Sequence, residues 1–296
     1  MTFEELKNKF AGKCIIKEGP GGLPVVAVSN AAATAEICLM GAHIMSYAPN
    51  GQGEVIWMSS QSSFEVGKAI RGGIPVCWPW FSKNPTFEDA PMHGLARITT
   101  WELLDVFPTE KQTIIKLALN AVPGYEQYWG YKFRLEYTIT VGATLTLSLK
   151  TTNLDDKPFT ITEALHTYFS VGDVTKVQVE GLDGCPYLNK VGDGGTGIRE
   201  GNRIIDCEVD EVYQGVRRTL VIRDASIPRT ILVNNFNSNS AVVWNPWIAK
   251  SQRMADFPDD GYKTMLCVES GNVIEDAREI QPGASHELIA VLTVKR

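Results

Sequence analysis

The feature that most constrains the fold is a succession of short segments rich in β-branched and aromatic residues, separated by turn residues. Some alternate strictly: Leu145, Leu147 and Leu149 point to one side, while Thr146 and Ser148 point to the other, as in a half-buried strand. The predicted strands cover residues 25–28, 35–40, 55–58, 113–119, 133–140, 144–149, 160–169, 174–179, 219–222, 231–233, 241–244, 265–268 and 288–294. The chain is therefore predicted to be all-β, with antiparallel sheets stacked face to face.

Helical periodicity is confined to the first ten residues. Thr2 and Glu5 have the spacing of a capping box, and Phe3, Leu6 and Phe10 form one apolar stripe. No Pro/Ser-rich linker, low-complexity tract or repeat of 20–50 residues divides the remaining sequence. We therefore predict a single domain, with a helix and lead-in over residues 1–20 and a β-sandwich over residues 21–296.

A glycine-rich stretch at residues 192–201 could form a hairpin or cradle a phosphate group. A phosphate-binding loop needs a strand before it and a helix after it. The segment that follows, Arg203-Ile204-Ile205-Asp206, has the character of a strand. This order favours a hairpin over a nucleotide site.

Composition restricts the classes of partner. The 296 residues include 28 Lys+Arg and 34 Asp+Glu, and the formal net charge of −6 gives no general basic field for nucleic acid. An anionic substrate would need a local cationic pocket. The sequence shows no basic leader followed by an apolar stretch and no apolar run near the ~20 residues of a membrane span. These features predict a cytoplasmic location with no membrane partner.

Cysteines and histidines limit the possible chemistry. The six cysteines form no CxxC pair, which favours mostly buried, reduced thiols over disulfides or a metal site. The four histidines are His43, His93, His166 and His286, and they include no HxH or HExxH arrangement. A GxSxG nucleophile motif is also absent. We therefore expect neither a metal site nor a serine nucleophile.

The segment from Arg71 to Arg97 is the least ordinary part of the sequence. Arg71 is followed by Gly72 and Gly73, which would let backbone approach a ligand closely. The run CWPWF then offers an apolar wall on which a sugar ring could lie. Arg71 and Arg97 carry planar donor groups that suit phosphate. From this segment alone, an aromatic core with two exposed arginines is an equally good interpretation.

Two further segments hold candidate proton-transfer groups. His166 lies in LHTYF, and Glu269 follows the apolar run 265–268 in CVESGN. A lone histidine on a strand is more often a hydrogen-bonded structural residue, and a carboxylate at a strand end is usually solvated. The pair becomes informative only if the two side chains meet at one pocket.

Taken in order, the motifs RGGIP and WPWF, HGLAR, LHTYF, DEVYQ, VWNPW with KSQRMADF, and CVESGN resemble those of the glucose-6-phosphate 1-epimerase family. These hexose-6-phosphate mutarotases are relatives of aldose 1-epimerase, also called galactose mutarotase. The resemblance extends from about Val25 to the end of the chain. It implies a large antiparallel β-supersandwich, in agreement with the predicted strands.

The resemblance also implies roles for individual residues. His166 matches the catalytic acid, and Glu269 matches the catalytic base. Arg71 and Arg97 match arginines associated with the substrate phosphate. The remaining substrate-binding residues implied by the resemblance are His93, in the pocket, and Asp210, which holds a sugar hydroxyl. Met92 stands where some relatives have a polar residue, so a substrate hydrogen bond is not expected there.

Mutarotation needs one proton removed from the C1 hydroxyl and one delivered to the ring oxygen, without metal or nucleotide cofactor. We expect His166 and Glu269 to face each other across one pocket, about a sugar ring's width apart, with Asp210 at the rim. The predicted ligand is a small phosphosugar, and a monomer is expected. Two alternatives remain from the residues themselves: an epimerase of unphosphorylated aldoses, and a non-catalytic sugar-binding sandwich.

Overall fold

The computed structural model describes residues 2–295. The chain begins with helix α1 (Phe3–Lys9), and the capping box predicted at its start is present. The Glu5 backbone N–H donates to Thr2 Oγ1 at 3.3 Å, and the Thr2 N–H donates to Glu5 Oε2 at 2.7 Å. Both bonds satisfy backbone donors that the first helical turn leaves free. A second short helix, α2 (Trp247–Ser251), follows the VWNPW motif.

Strands account for most of the regular structure in residues 2–295. The first twelve are β1 (Ile15–Glu18), β2 (Pro24–Ser29), β3 (Ala33–Cys38), β4 (His43–Pro49), β5 (Val76–Cys77), β6 (Glu102–Pro108), β7 (Thr113–Leu119), β8 (Phe133–Val141), β9 (Thr144–Asn153), β10 (Phe159–Ile161), β11 (Glu163–Leu165) and β12 (Tyr168–Ser170). The next eleven are β13 (Val177–Glu180), β14 (Pro186–Asn189), β15 (Gly195–Ile198), β16 (Arg203–Ile204), β17 (Val209–Gln214), β18 (Leu220–Asp224), β19 (Arg229–Phe236), β20 (Ser240–Asn245), β21 (Met265–Asn272), β22 (Arg278–Ile280) and β23 (Ser285–Lys295). Short 3₁₀ turns lie at Pro20–Gly22, Ala96–Ile98, Val174–Lys176, Gly261–Thr264 and Ile274–Asp276.

Two large antiparallel sheets dominate the architecture. A nine-stranded sheet has the order β16-β13-β18-β19-β23-β9-β8-β7-β6. An eight-stranded sheet has the order β15-β14-β17-β20-β21-β11-β5, with β12 also paired to β21. A four-stranded sheet, β1 to β4, and the pair β10 and β22 complete the structure. The first strand begins at Ile15, before the boundary at residue 21 that the sequence suggests for the sandwich.

The main core lies between the two large sheets. In β9, Leu145, Leu147 and Leu149 are buried, and the residues between them are half-buried or exposed, as the alternation predicts. The same continuous cluster includes Val243 and Val268 from the eight-stranded sheet. The all-β, antiparallel sandwich prediction is therefore confirmed.

Several local predictions need correction. Residues 55–58 form no continuous strand, because Ile56 pairs with Phe169 whereas Met58 pairs with Gly72, so the segment crosses between two partners. The single strand predicted at 160–169 is divided into β10, β11 and β12. Residues 174–176, the first part of the strand predicted over 174–179, form a 3₁₀ turn instead.

Other expectations are met in part. The glycine-rich stretch forms a hairpin, in which β14 pairs with β15, and Arg203–Ile204 is a strand as predicted. All six cysteines are free, but only Cys38, Cys77 and Cys267 are buried. No helix within residues 2–295 is both long and apolar enough to cross a membrane. The single-domain organisation stays a prediction.

Candidate active site

One face of the eight-stranded sheet carries most of the candidate residues. Directly opposed residues of an antiparallel ladder project to the same side of a sheet. Asp210 on β17 pairs with Trp244 on β20, which pairs with Cys267 on β21, which in turn pairs with Tyr168 on β12. Glu269 lies two residues beyond Cys267 and therefore shares this face. The opposite face, including Val243 and Val268, packs into the main core.

His166 and Glu269 meet on this face. His166 Nε2 lies 3.2 Å from Glu269 Oε1, and both side chains are buried. The expected separation of about one sugar ring is therefore wrong for this structure, because the two side chains are in direct contact. Nδ1 of His166 and Oε2 of Glu269 are buried and have no hydrogen-bond partner in residues 2–295.

His166 owes its position to a break in the strand. It lies in the two-residue gap between β11 and β12, and its backbone N–H donates to the Pro75 carbonyl at 3.0 Å. The ladder with β21 is interrupted there because this N–H is directed to the loop after Arg71. The imidazole is stacked on Tyr168, with the ring centroids 4.8 Å apart and the planes 13° from parallel.

Burial disfavours charge on both members of the pair. It lowers the pKa of the His166 imidazole to about 3, and the positive charges of Arg97 and Arg71 act in the same direction. Burial also raises the pKa of the Glu269 carboxyl well above its ordinary value, and the nearby Asp210 adds to this effect. Both shifts therefore act against an imidazolium–carboxylate pair and favour the neutral form of each group.

The glycine pair after Arg71 packs against protein backbone and a buried ring. Gly72 has φ +95° and Gly73 has φ +67°, values that favour glycine. A Cβ at Gly72 would lie 2.7 Å from Met58 Cα, and one at Gly73 would lie 2.1 Å from His43 Nε2. The two glycines therefore shape the loop that presents Arg71, and the close approach they permit is to the protein itself.

Arg71 is held at two points. Its Nε donates to Asp256 Oδ2 at 3.1 Å, and its Nη1 donates to the Tyr168 hydroxyl at 3.0 Å. The Arg71 side chain remains about a quarter exposed. Arg71 is thus oriented by a carboxylate and a phenol.

His93 is held in a neutral, donor-competent form. Its backbone N–H donates to the Ser82 carbonyl at 2.7 Å, and the Ser82 N–H donates to His93 Nδ1 at 3.2 Å. Because Nδ1 accepts a hydrogen bond, the ring proton is assigned to Nε2. Burial, followed by the charge of Arg97, holds the pKa of His93 well below its usual value. The ring packs edge-on to His166, with centroids 5.6 Å apart.

Arg97 lacks a carboxylate partner within ion-pair distance in the described part of the chain. Its Nη2 donates to the Met92 carbonyl at 2.7 Å, and its Nε is buried without a partner. Burial lowers the pKa of this guanidinium. The Met92 side chain itself is exposed, so this residue contributes through its backbone. In this respect Arg97 differs from Arg71, whose charge is paired with Asp256.

Asp210, which shares the sheet face of Glu269, lies beside Lys250, a cation that carried no predicted role. Lys250 Nζ lies 3.5 Å from Asp210 Oδ2 and 3.3 Å from Glu208 Oε1. It also lies 5.7 Å above the Trp244 ring. Lys250 and Asp256 both come from the KSQRMADF motif, and Tyr168 comes from LHTYF. The motifs could have indicated these residues, but only the structure shows what they contact.

An open cleft of about 770 Å³ adjoins the site without including the His166–Glu269 pair. Its walls are rich in aromatic rings, and they include Phe81, Ser82 and Lys190. Phe81 also packs against His93, with centroids 4.8 Å apart, so this wall separates the cleft from the pair. Across residues 2–295, no group of three or more His, Cys, Asp or Glu side chains is arranged to hold a metal ion.

Comparison with known proteins identifies the family. The sequence profile of aldose 1-epimerase matches residues 24–293, nearly the whole chain. The chain belongs to the aldose 1-epimerase family. Within this family it is similar to proteins provisionally named glucose-6-phosphate 1-epimerase. The relative from Salmonella typhimurium is 35% identical over 272 residues, covering 91% of this chain and 90% of the relative. A relative from Escherichia coli is 34% identical over 275 residues, covering 93% and 92%.

Solved structures support the same assignment to the aldose 1-epimerase family. A provisionally named mutarotase from Salmonella typhimurium superposes with a TM-score of 0.87 at 31% identity, covering 99% of each chain. A galactose mutarotase-like protein from Lactobacillus casei gives a TM-score of 0.72 at 14% identity, covering 92% of this chain and all of the other. The second likeness shows the fold alone. The predicted family resemblance and the mutarotase-like sandwich are both confirmed.

Proposed function

We propose that this member of the aldose 1-epimerase family interconverts the α and β anomers of an aldohexose 6-phosphate, as a glucose-6-phosphate 1-epimerase. The observation that carries the proposal is a buried acid–base pair beside an arginine without a carboxylate partner: His166 Nε2 is 3.2 Å from Glu269 Oε1, and Arg97 is nearby. The names of the relatives from Salmonella typhimurium and Escherichia coli support the same substrate class.

The proposed chemistry uses only His166 and Glu269. Glu269 takes the proton of the C1 hydroxyl while His166 delivers a proton to the ring oxygen. The bond between C1 and the ring oxygen then breaks, and an aldehyde forms at C1. After rotation about C1–C2, the C5 oxygen attacks the other face of the aldehyde. Its proton returns to His166, and Glu269 returns its proton to the carbonyl oxygen. The hydroxyl oxygen that loses a proton and the ring oxygen that gains one are both bonded to C1. An acid and a base in direct contact can therefore reach both oxygens.

The pKa shifts fit this cycle. Ring opening converts a charged pair, imidazolium and carboxylate, into a neutral pair with the same net charge. Burial favours the neutral pair, because it raises the pKa of Glu269 and lowers that of His166. The site therefore stabilises the state that accompanies the open aldehyde. At 3.2 Å, a proton can pass directly between the side chains and restore the charged form.

The phosphate is proposed to bind at Arg97 and Arg71. A phosphate dianion would compensate the half-buried charge of Arg97, which lacks a carboxylate partner in residues 2–295. Arg71 is oriented by Asp256 and Tyr168 and can add a second charge-assisted contact. Binding energy from this remote group can hold the sugar ring against His166 and Glu269. His93 and Asp210 are proposed to hold sugar hydroxyls.

Epimerisation of free aldoses is the second candidate. The Arg71–Asp256 ion pair favours it, because an arginine already paired with a carboxylate can serve structure alone. Exchange NMR on α- and β-glucose 6-phosphate, compared with glucose under the same conditions, separates the two. We expect the catalysed exchange of the phosphosugar to be faster by at least tenfold in kcat/KM. Equal or faster exchange of glucose would overturn the phosphosugar assignment. A monomeric state and a cytoplasmic location stay predictions from the sequence.

A further inference from the structure

Tyr168 stands between Arg71, the proposed phosphate ligand, and His166, the proposed proton donor. Its hydroxyl accepts a hydrogen bond from Arg71 Nη1 at 3.0 Å. Its ring lies 4.8 Å from that of His166, with 13° between the planes. Trp57 stacks against the same ring at 6.0 Å and 18°. Tyr168 is only 1% exposed, so its ring has little freedom to move independently of these neighbours.

Backbone hydrogen bonds link the segments that carry Arg71, His166 and Tyr168. The Tyr168 N–H donates to the Gly73 carbonyl at 3.0 Å, and the His166 N–H donates to the Pro75 carbonyl at 3.0 Å. The Trp57 N–H in turn donates to the Tyr168 carbonyl at 2.9 Å. The loop that presents Arg71 and the segment that presents His166 are therefore one hydrogen-bonded unit. A shift of the Arg71 guanidinium, which Asp256 anchors at Nε, must be accommodated at the Tyr168 hydroxyl.

We propose that Tyr168 is a positioning residue through which phosphate bound at Arg71 orients His166 for proton transfer. This inference rests on the proposed function. The phosphate then has two effects: it holds the substrate, and it fixes the imidazole by way of Arg71 and the Tyr168 ring. Burial is the main cause that lowers the pKa of His166, and the charges of Arg97 and Arg71 add to it. Phosphate bound at these arginines offsets their contribution and thereby raises the pKa of the imidazole that must donate a proton. A free sugar engages neither effect.

Tyr168→Phe tests the coupling, because it keeps the stacked ring and removes only the hydroxyl. We expect kcat for glucose 6-phosphate to fall about tenfold while its KM changes less than threefold, since Arg71 and Arg97 remain. The loss with glucose should be at least fivefold smaller. Tyr47→Phe is a matched control: it removes another buried tyrosine hydroxyl bond, to the Gly142 carbonyl at 2.9 Å, away from the site. It should leave the ratio of the two rates at the wild-type value.

A double-mutant cycle with Arg71→Lys provides an independent test. Lysine keeps the positive charge but lacks the planar fork that reaches the Tyr168 hydroxyl. If the hydroxyl acts through Arg71, Arg71→Lys/Tyr168→Phe should have a kcat for glucose 6-phosphate within twofold of Arg71→Lys alone. Multiplicative losses would overturn the coupling. Equal losses of Tyr168→Phe on both sugars would also overturn it, since they indicate a structural role.

Phosphite dianion tests the effect of the anion on proton transfer separately from the binding of the sugar. Added to D-xylose, which lacks the carbon that bears the phosphate, it should accelerate anomer exchange by the wild-type protein at least fivefold more than by Tyr168→Phe. Equal acceleration, or none with wild type, contradicts the coupling. If the wild-type protein does not exchange the anomers of glucose 6-phosphate, the proposed function itself fails. The two failures are thus distinguishable.

Discussion

Arg97 and Arg71 differ in how their charges are compensated, and this difference predicts unequal effects of mutation. Arg97 has no carboxylate within ion-pair distance in residues 2–295, whereas Arg71 Nε lies 3.1 Å from Asp256 Oδ2. A hydrogen bond to a charged group contributes about 1.5–3 kcal/mol. Arg97→Met should therefore lower kcat/KM for glucose 6-phosphate by about 10- to 150-fold.

Arg71→Met should cost more than Arg97→Met. It removes one phosphate contact and also exposes the substrate to the unpaired carboxylate of Asp256, which repels phosphate. Arg71→Met/Asp256→Asn removes that carboxylate and should recover part of the loss. No such recovery is expected when Asp256→Asn is combined with Arg97→Met, because Arg97 makes no ion pair with Asp256.

The assay compares kcat/KM for anomer exchange of glucose 6-phosphate with that of glucose for each variant. Losses of the same size on both sugars would refute the reasoning, since only the phosphosugar loses a charge-assisted contact. Thermal unfolding supplies the control for folding. Arg97→Met removes a half-buried charge that has no carboxylate partner in residues 2–295, so its melting temperature should equal or exceed that of the wild-type protein.

Two further predictions concern stability, and a third concerns the N-terminal helix. Gly73→Ala should lower the free energy of unfolding, measured in urea, by about 2–5 kcal/mol. Gly124→Ala, whose added Cβ meets nothing within 4 Å, should lower it by ~1 kcal/mol. Equal losses in the two variants would contradict the packing argument. Burial lowers the pKa of His43 to about 3, so the unfolded chain binds more protons below pH ~6.5, and stability should fall from there towards pH 3. This fall, roughly 1 kcal/mol per pH unit for such a histidine, should be smaller in His43→Gln, and an unchanged slope would assign it to other groups. Thr2→Ala should cost ~1 kcal/mol of helix stability, measured by hydrogen exchange in α1, and undiminished protection would contradict the cap.

Local patterns predict much of the fold because they depend on neighbouring residues. The alternation at Leu145, Leu147 and Leu149 correctly indicates a half-buried strand, and the Thr2–Glu5 spacing correctly indicates the helix start. Segment 55–58 is also rich in β-branched and aromatic residues but forms no continuous strand, because its residues pair with different elements. Pairing partners are set by long-range contacts, which composition does not contain.

The same limit applies to the site. The motifs name His166, Glu269, Arg71 and Arg97, yet they contain no information on distances between them. The direct contact of His166 with Glu269 depends on the strand break at His166, whose N–H is bonded to Pro75. Likewise, Tyr168 is predicted only as part of a strand, and its contacts with Arg71 and His166 follow from the packing of two distant segments.

The most direct test of the central claim is the rate of anomer exchange in His166→Asn, Glu269→Gln and the double variant. Both substitutions keep the approximate shape of the side chain and remove its proton-transfer chemistry. Because the groups act in one step, each single change should lower kcat for glucose 6-phosphate by about 10²–10⁴-fold. The double variant should lose much less than the product of the two single losses. A folded single variant that exchanges the anomers at the wild-type rate would contradict the account.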